Sequence, residues 1–93
     1  MRERDIEDYL VKRVKAMGGE VRKVQWIGRI GAPDRLIMMR SLALGIGFTV
    51  WVELKAPGAK PRPSQLREHE RMRAMGQRVV VIDSLEGVEE LLG

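Results

Sequence analysis

Apolar and polar positions along this chain repeat with two periods, and the change from one to the other marks its elements. From Asp5 to Met17, the residues Ile6, Leu10, Val11, Val14 and Met17 fall on one arc at a step of about 100° per residue, predicting an amphipathic helix. Gly18-Gly19 stops it. Glu20–Ile27 reads as a first strand of mixed polarity, Gly28–Pro33 as a loop, and Arg35–Met39 as a short apolar strand. Ser41–Gly47 contains two glycines and reads as a hairpin link. Phe48–Ala56 carries the strongest strand signal, rich in β-branched and aromatic residues. Its alternation puts Phe48, Val50, Val52 and Leu54 on one face and Thr49, Trp51, Glu53 and Lys55 on the other. Pro57–Pro63 cannot be regular structure. Ser64 is expected to cap a helix that runs to Met75 and ends at Gly76. Gln77–Ile82 is a buried-type strand, and Ser84 caps a last helix reaching Leu92.

The order α-β-β-β-α-β-α implies an α/β (α+β) fold with a central mixed sheet flanked by helices. Three strands follow one another through short links, and a crossover helix leads to the fourth. At 93 residues there is room for one core, so residues 1–93 form a single domain. With four aromatic residues, that core must rest on Leu, Val, Ile and the six Met. So small a domain would gain stability from self-association.

Charge narrows the partners. The net charge is +4, and the basic residues are scattered over predicted structure, which suits a polyanion such as a nucleic-acid duplex. No membrane-spanning run and no signal peptide are expected, since the first residues "MRERDIED" are strongly charged. The absence of cysteine excludes a disulfide scaffold and a thiolate zinc site, and it is compatible with a reducing cytoplasm.

Several polar residues stand at positions the pattern reserves for apolar ones. Glu7 lies within the apolar arc of the first helix. It either bends out to solvent or aims a carboxylate at the sheet, where burial would demand a cation or a shared proton. Glu53 and Lys55 share one strand face. They form a weak surface pair if that face is wet, and a matched pair if it is covered. Asp34 follows Pro33 at the mouth of a strand; it is an ordinary turn residue or a neighbour of Glu53 across the hairpin. Gln65 and His69 fall on the inner arc of the second helix with Leu66, Met72 and Met75, either as satisfied structural groups or as part of the same cluster.

If the three carboxylates converge, mutual repulsion requires a proton or a cation among them. Oxygen ligands without cysteine select a hard ion, Mg²⁺ or Mn²⁺. Such an ion activates water and binds phosphate oxygens. Lys55 beside Glu53 could orient or deprotonate that water, or offset charge on the phosphate. Arg29, Arg35, Lys60 and Arg62 would hold the strand backbone. The chemistry implied is phosphodiester hydrolysis.

Pro33-Asp34, a spacer of eighteen residues and Glu53-Leu54-Lys55 resemble the PD-(D/E)xK motif of restriction-endonuclease-like nucleases. "GAPDRLI", "WVELKAPGAKPRPSQ" and the helix-1 glutamate resemble, more narrowly, the virus-type replication-repair nuclease (VRR-NUC) domains. That resemblance implies an active site of Glu7, Asp34, Glu53, Lys55 and Gln65, with Glu7, Asp34, Glu53 and the Leu54 carbonyl on Mg²⁺ or Mn²⁺. His69 would be structural or would touch the substrate phosphate. Stand-alone members of this size look like phage-borne Holliday-junction resolvases acting as homodimers on branched DNA. The expectation is therefore a structure-specific endonuclease in a bacterial cytoplasm, with no small-molecule substrate. The alternatives are a flap or nicking nuclease of the same fold, a non-catalytic basic DNA-binding module, and a sequence-specific restriction-type enzyme.

Overall fold

The computed structural model describes residues 1–93 and contains the seven expected elements in the expected order. They are α1 (Glu3–Ala16), β1 (Glu20–Lys23), β2 (Arg35–Ser41), β3 (Ile46–Leu54), α2 (Pro63–Ala74), β4 (Val79–Ile82) and α3 (Leu85–Leu92). The sheet order is β1-β2-β3-β4, with the first three antiparallel and β4 parallel to β3 after the α2 crossover. No helix is long and apolar enough to cross a membrane.

One face of the sheet holds the apolar core. Ile37, Val50, Val52, Leu54 and Ile82 pack there against Ile6, Leu10 and Val14 of α1 and Val88 of α3. Tyr9 and Arg13 of α1 both hydrogen-bond the Glu89 carboxylate, which ties α3 to α1. The opposite face meets α2, whose buried side chains are mostly polar: Gln65, Glu68 and His69 beside Met72, with His69 next to Glu53 of β3. Two phase expectations are corrected here. Leu66 and Met75, assigned to the inner arc of α2, are 51% and 79% exposed, while Glu68 is inside. Likewise Met17 is exposed and Val11 only half-buried on α1. Hydrophobic periodicity finds the inner face of a helix where that stripe is apolar; the stripe of α2 that is buried is mostly polar, so the pattern misses its phase.

Element ends also shift. β1 stops at Lys23 rather than Ile27, because Val24 N–H makes the last ladder bond, to the Asp34 carbonyl at 2.9 Å, and β2 supplies no partner beyond it. The hairpin zips further than the link suggested, pairing Ser41 with Ile46 and leaving four residues to turn. The cap of α2 is Arg62, with Pro63 in the first turn, rather than Ser64. Gln65 closes that cap by accepting the Arg62 N–H at 2.8 Å. Gly31, at φ 87°, lets the preceding loop touch this helix start, since a Cβ there would lie 2.4 Å from the Ser64 carbonyl oxygen.

Candidate active site

Strand register brings the two motif halves together. Arg35 pairs with Val52, so Asp34 and Glu53 are the next partners along the same antiparallel ladder. The Gly31 contact then brings the start of α2, with Gln65, up to the same point. Asp34, Glu53, Leu54, Lys55 and Gln65 line one open cavity of about 440 Å³, together with Arg35, Arg62 and Glu3.

Glu53 is 8% exposed, and its Oε1 is buried without a hydrogen-bond partner. Burial drives its pKa up to about 7. Lys55 and Arg62 pull it down, while the negative charges of Asp34 and Glu3 add to the rise. Behind it stands His69, fully buried, with Nε2 at 3.5 Å from Glu53 Oε1 and neither ring nitrogen hydrogen-bonded. Burial and the nearby Arg73 lower the His69 pKa, so the imidazole is neutral near pH 7. His69 therefore cannot offer itself to a strand outside, which corrects its assignment as a nucleic-acid contact. Its place is the inner wall behind Glu53.

Glu7 is placed differently from the expectation. Its carboxylate accepts hydrogen bonds from the Arg35 guanidinium and does not line the cavity; Glu3, one turn earlier on the same helix face, does. Arg35 spans Glu7 and the Asp34 carboxylate, the latter at 2.9 Å, and its side chain is largely buried. Arg35 thus neutralises carboxylates at the site more than it faces a distant strand. Arg62 opens onto the cavity, Lys60 is exposed in the loop before it, and Arg29 lies in the adjoining cleft beside Asp34. Glu3 and Glu68 were both legible in principle, one turn from Glu7 and from Gln65 respectively.

The Glu7–Arg35 pair has a measurable consequence. Arg35→Ala strands the Glu7 carboxylate in a half-buried place and should lower unfolding free energy by about 2–3 kcal/mol. Adding Glu7→Gln should recover most of that loss in urea titrations. If Glu7→Gln in the wild-type background abolishes divalent-ion binding and leaves stability untouched, Glu7 is a ligand and not the partner of Arg35.

No three His, Asp or Glu side chains converge tightly enough to make a ligand set alone. The donors nevertheless fit a hard divalent ion, because they are all oxygen and because Glu53 is a buried carboxylate facing further negative charge. Asp34, Glu53 and the Leu54 carbonyl are the groups that would hold it, leaving the remaining positions to water.

Comparisons with known proteins bear on the family of the chain. No family model matches the chain. A phage protein, "Putative nuclease p44" of Acyrthosiphon pisum secondary endosymbiont phage 1, is 49% identical over 84 residues, which cover 90% of this chain and 85% of the relative. A solved structure described as a VRR_NUC domain superposes with a TM-score of 0.78 at 41% identity, covering 97% of this chain and 92% of that one. The chain belongs to the VRR-NUC family. Within this VRR-NUC domain, the Asp34, Glu53, Lys55 and Gln65 positions face one another across a single cavity, whereas Glu7 does not reach it.

Proposed function

We propose that this VRR-NUC domain is a divalent-metal-dependent endonuclease that hydrolyses phosphodiester bonds in branched DNA, acting as a homodimer of the Holliday-junction-resolvase kind. The observation that carries the reading is the meeting of Asp34, Glu53, Lys55 and Gln65 in one solvent-open cavity with Arg62 at its side. A divalent ion bound there would polarise a phosphate oxygen and make its water more acidic. The chain's own groups divide the remaining work. The Lys55 ammonium donates to the phosphate oxygens and offsets charge that accumulates as the bond to the attacking oxygen forms. Arg62 holds a neighbouring phosphate. Gln65 spends its Oε1 on the helix cap, so its amide N–H₂ is the group it can offer to substrate.

Shape-directed recognition is supported by the basic groups at the cavity, Arg62 and the neighbouring Lys60, which suit phosphates rather than base edges. The homodimer is supported by the β2–β3 hairpin, where Leu42, Leu44, Ile46 and Phe48 are exposed together. A setting in the bacterial host cytoplasm is supported by the phage origin of the relative.

Purified protein should cut a synthetic four-way junction in the presence of Mg²⁺ or Mn²⁺ and leave it intact with chelator. It should cut that junction faster than a linear duplex of equal length, and light scattering should give twice the chain mass. Failure to cut the junction, a flap and the duplex under all metal conditions would refute the reading.

A further inference from the structure

Three cavities adjoin one another in a row. The active-site cavity shares Ala32, Asp34 and Arg35 with a second, and the second shares Trp26 and Arg29 with a third. The third has a volume of about 460 Å³ and a different character. Trp26, Trp51, Met72 and Met75 line it, with Arg29 and Arg71 beside them.

These are the chain's two tryptophans, and both are held in place. Their ring centroids are 5.2 Å apart with planes tilted by 47°. The Trp26 indole N–H donates to the Pro33 carbonyl at 2.8 Å, and the Trp51 indole N–H donates to Gln77 Oε1 at 3.1 Å. Glu68, buried behind them, anchors Arg71 at 2.9 Å and Arg29 at 3.7 Å. Neither indole belongs to the apolar core, which lies across the sheet. Rigid aromatic surface, flanked by guanidinium groups and leading away from a phosphate-cleaving site, has the chemistry of a base-stacking platform.

We propose that this groove takes an unpaired nucleobase of the strand whose backbone occupies the active-site cavity, stacking it on Trp26 beside Met72, Met75 and the Arg29 guanidinium. The inference rests on the nuclease reading and narrows its substrate: branched DNA with an unpaired nucleotide next to the position of cleavage, as at a flap or at a junction whose branch point has opened. A fully paired duplex keeps its bases stacked on one another and has no free face for the groove. One stacked base corresponds to about tenfold in affinity.

The test uses the full chain with Ca²⁺ to hold DNA without cutting it. Three ligands are compared: a blunt duplex, the same duplex with a short single-stranded tail, and the same tail built from abasic nucleotides. The tailed duplex should bind about tenfold more tightly than the blunt one and quench tryptophan emission, which reports on Trp26 and Trp51 alone. The abasic tail, equal in charge, should do neither. Trp26→Leu keeps apolar bulk and Met75→Glu alters an exposed side chain; each should bring the ratio of tailed to blunt affinity close to unity. A tail advantage that persists with abasic nucleotides or in Trp26→Leu would overturn the platform, since it would then be electrostatic. Metal-dependent cutting of the blunt duplex with no tail advantage would sink the platform and leave the nuclease reading standing. Failure to bind or cut any of the three would remove both.

Discussion

Lys55→Ala and Asp34→Asn should each slow phosphodiester cleavage by about 10²–10⁴-fold, the range for losing a group that moves or stabilises charge in the transition state. Neither change should unfold the protein. The Asp34 side chain is 60% exposed and its bond to Arg35 is a partly solvated ion pair, worth about 1 kcal/mol or less. Lys55 is half-buried at the strand end, outside the apolar core. Single-turnover cleavage at saturating metal, read beside thermal unfolding, separates chemistry from folding. Lys55→Arg refines the result: a guanidinium keeps the charge but cannot accept a proton at working pH. Partial rescue by arginine therefore assigns Lys55 to charge stabilisation, and no rescue assigns it to proton transfer. Wild-type rates in either Lys55→Ala or Asp34→Asn would remove that residue from the site.

The second large effect concerns pH and Glu53. Its native pKa of about 7 lies above the ordinary 4.5 of a glutamate. The native state therefore keeps a proton that the unfolded chain has released. The stabilisation linked to Glu53 is fully present below the unfolded value and is lost as pH rises through about 7. Between pH 5.5 and 8 the metal-free protein should lose about 2 kcal/mol on this account. His69 acts with the opposite sign, because its native pKa is depressed and the unfolded imidazole takes up a proton in mildly acidic solution. The wild-type profile is consequently muted, and the informative quantity is the difference between wild type and Glu53→Gln. That variant should be the more stable of the two at pH 8, by about 2 kcal/mol more than at pH 5.5. Mg²⁺ or Mn²⁺ should stabilise wild type more at pH 8 than at pH 5.5, and should leave Glu53→Gln almost unmoved. Urea midpoints at the two pH values decide the matter: parallel profiles for wild type and Glu53→Gln would show that Glu53 does not carry this shift.

Those two residues also show how far one-dimensional reasoning reaches. The strand carrying Glu53 and Lys55 was legible because β alternation is rigid: each residue's face follows from its neighbour's. The approach of Asp34 to Glu53 was legible because two strands joined by a short link must pair antiparallel, and the residues before one and near the end of the other then meet. Gln65 was legible as an inward polar residue at the head of a helix, although its role in the cap was not. The resemblance to the nuclease family rested on these same positions together with the helix-1 glutamate, Glu7.

Helix placement was not legible. Glu3 and Glu7 lie on one face of α1, one turn apart, and periodicity is blind to how far a helix slides along its sheet. Packing of Ile6, Leu10 and Val14 against Val50, Val52 and Leu54 sets that slide. It puts Glu3 at the cavity and gives Glu7 to Arg35. The phase of α2 escaped for a related reason: its inner stripe of Gln65, Glu68, His69 and Met72 is mostly polar, so the hydrophobic signal pointed to Leu66 and Met75 on the outside. The sequence by itself determined the elements, their order and the pairing that joins Asp34 to Glu53, because these follow from local periodicity and short connections. Only the tertiary structure decided which carboxylate of α1 reaches the cavity, that His69 is buried behind Glu53, and that Trp26 and Trp51 meet across 25 residues of chain. Each of those depends on the distance between separate elements, which is fixed by three-dimensional packing and leaves no period in the chain.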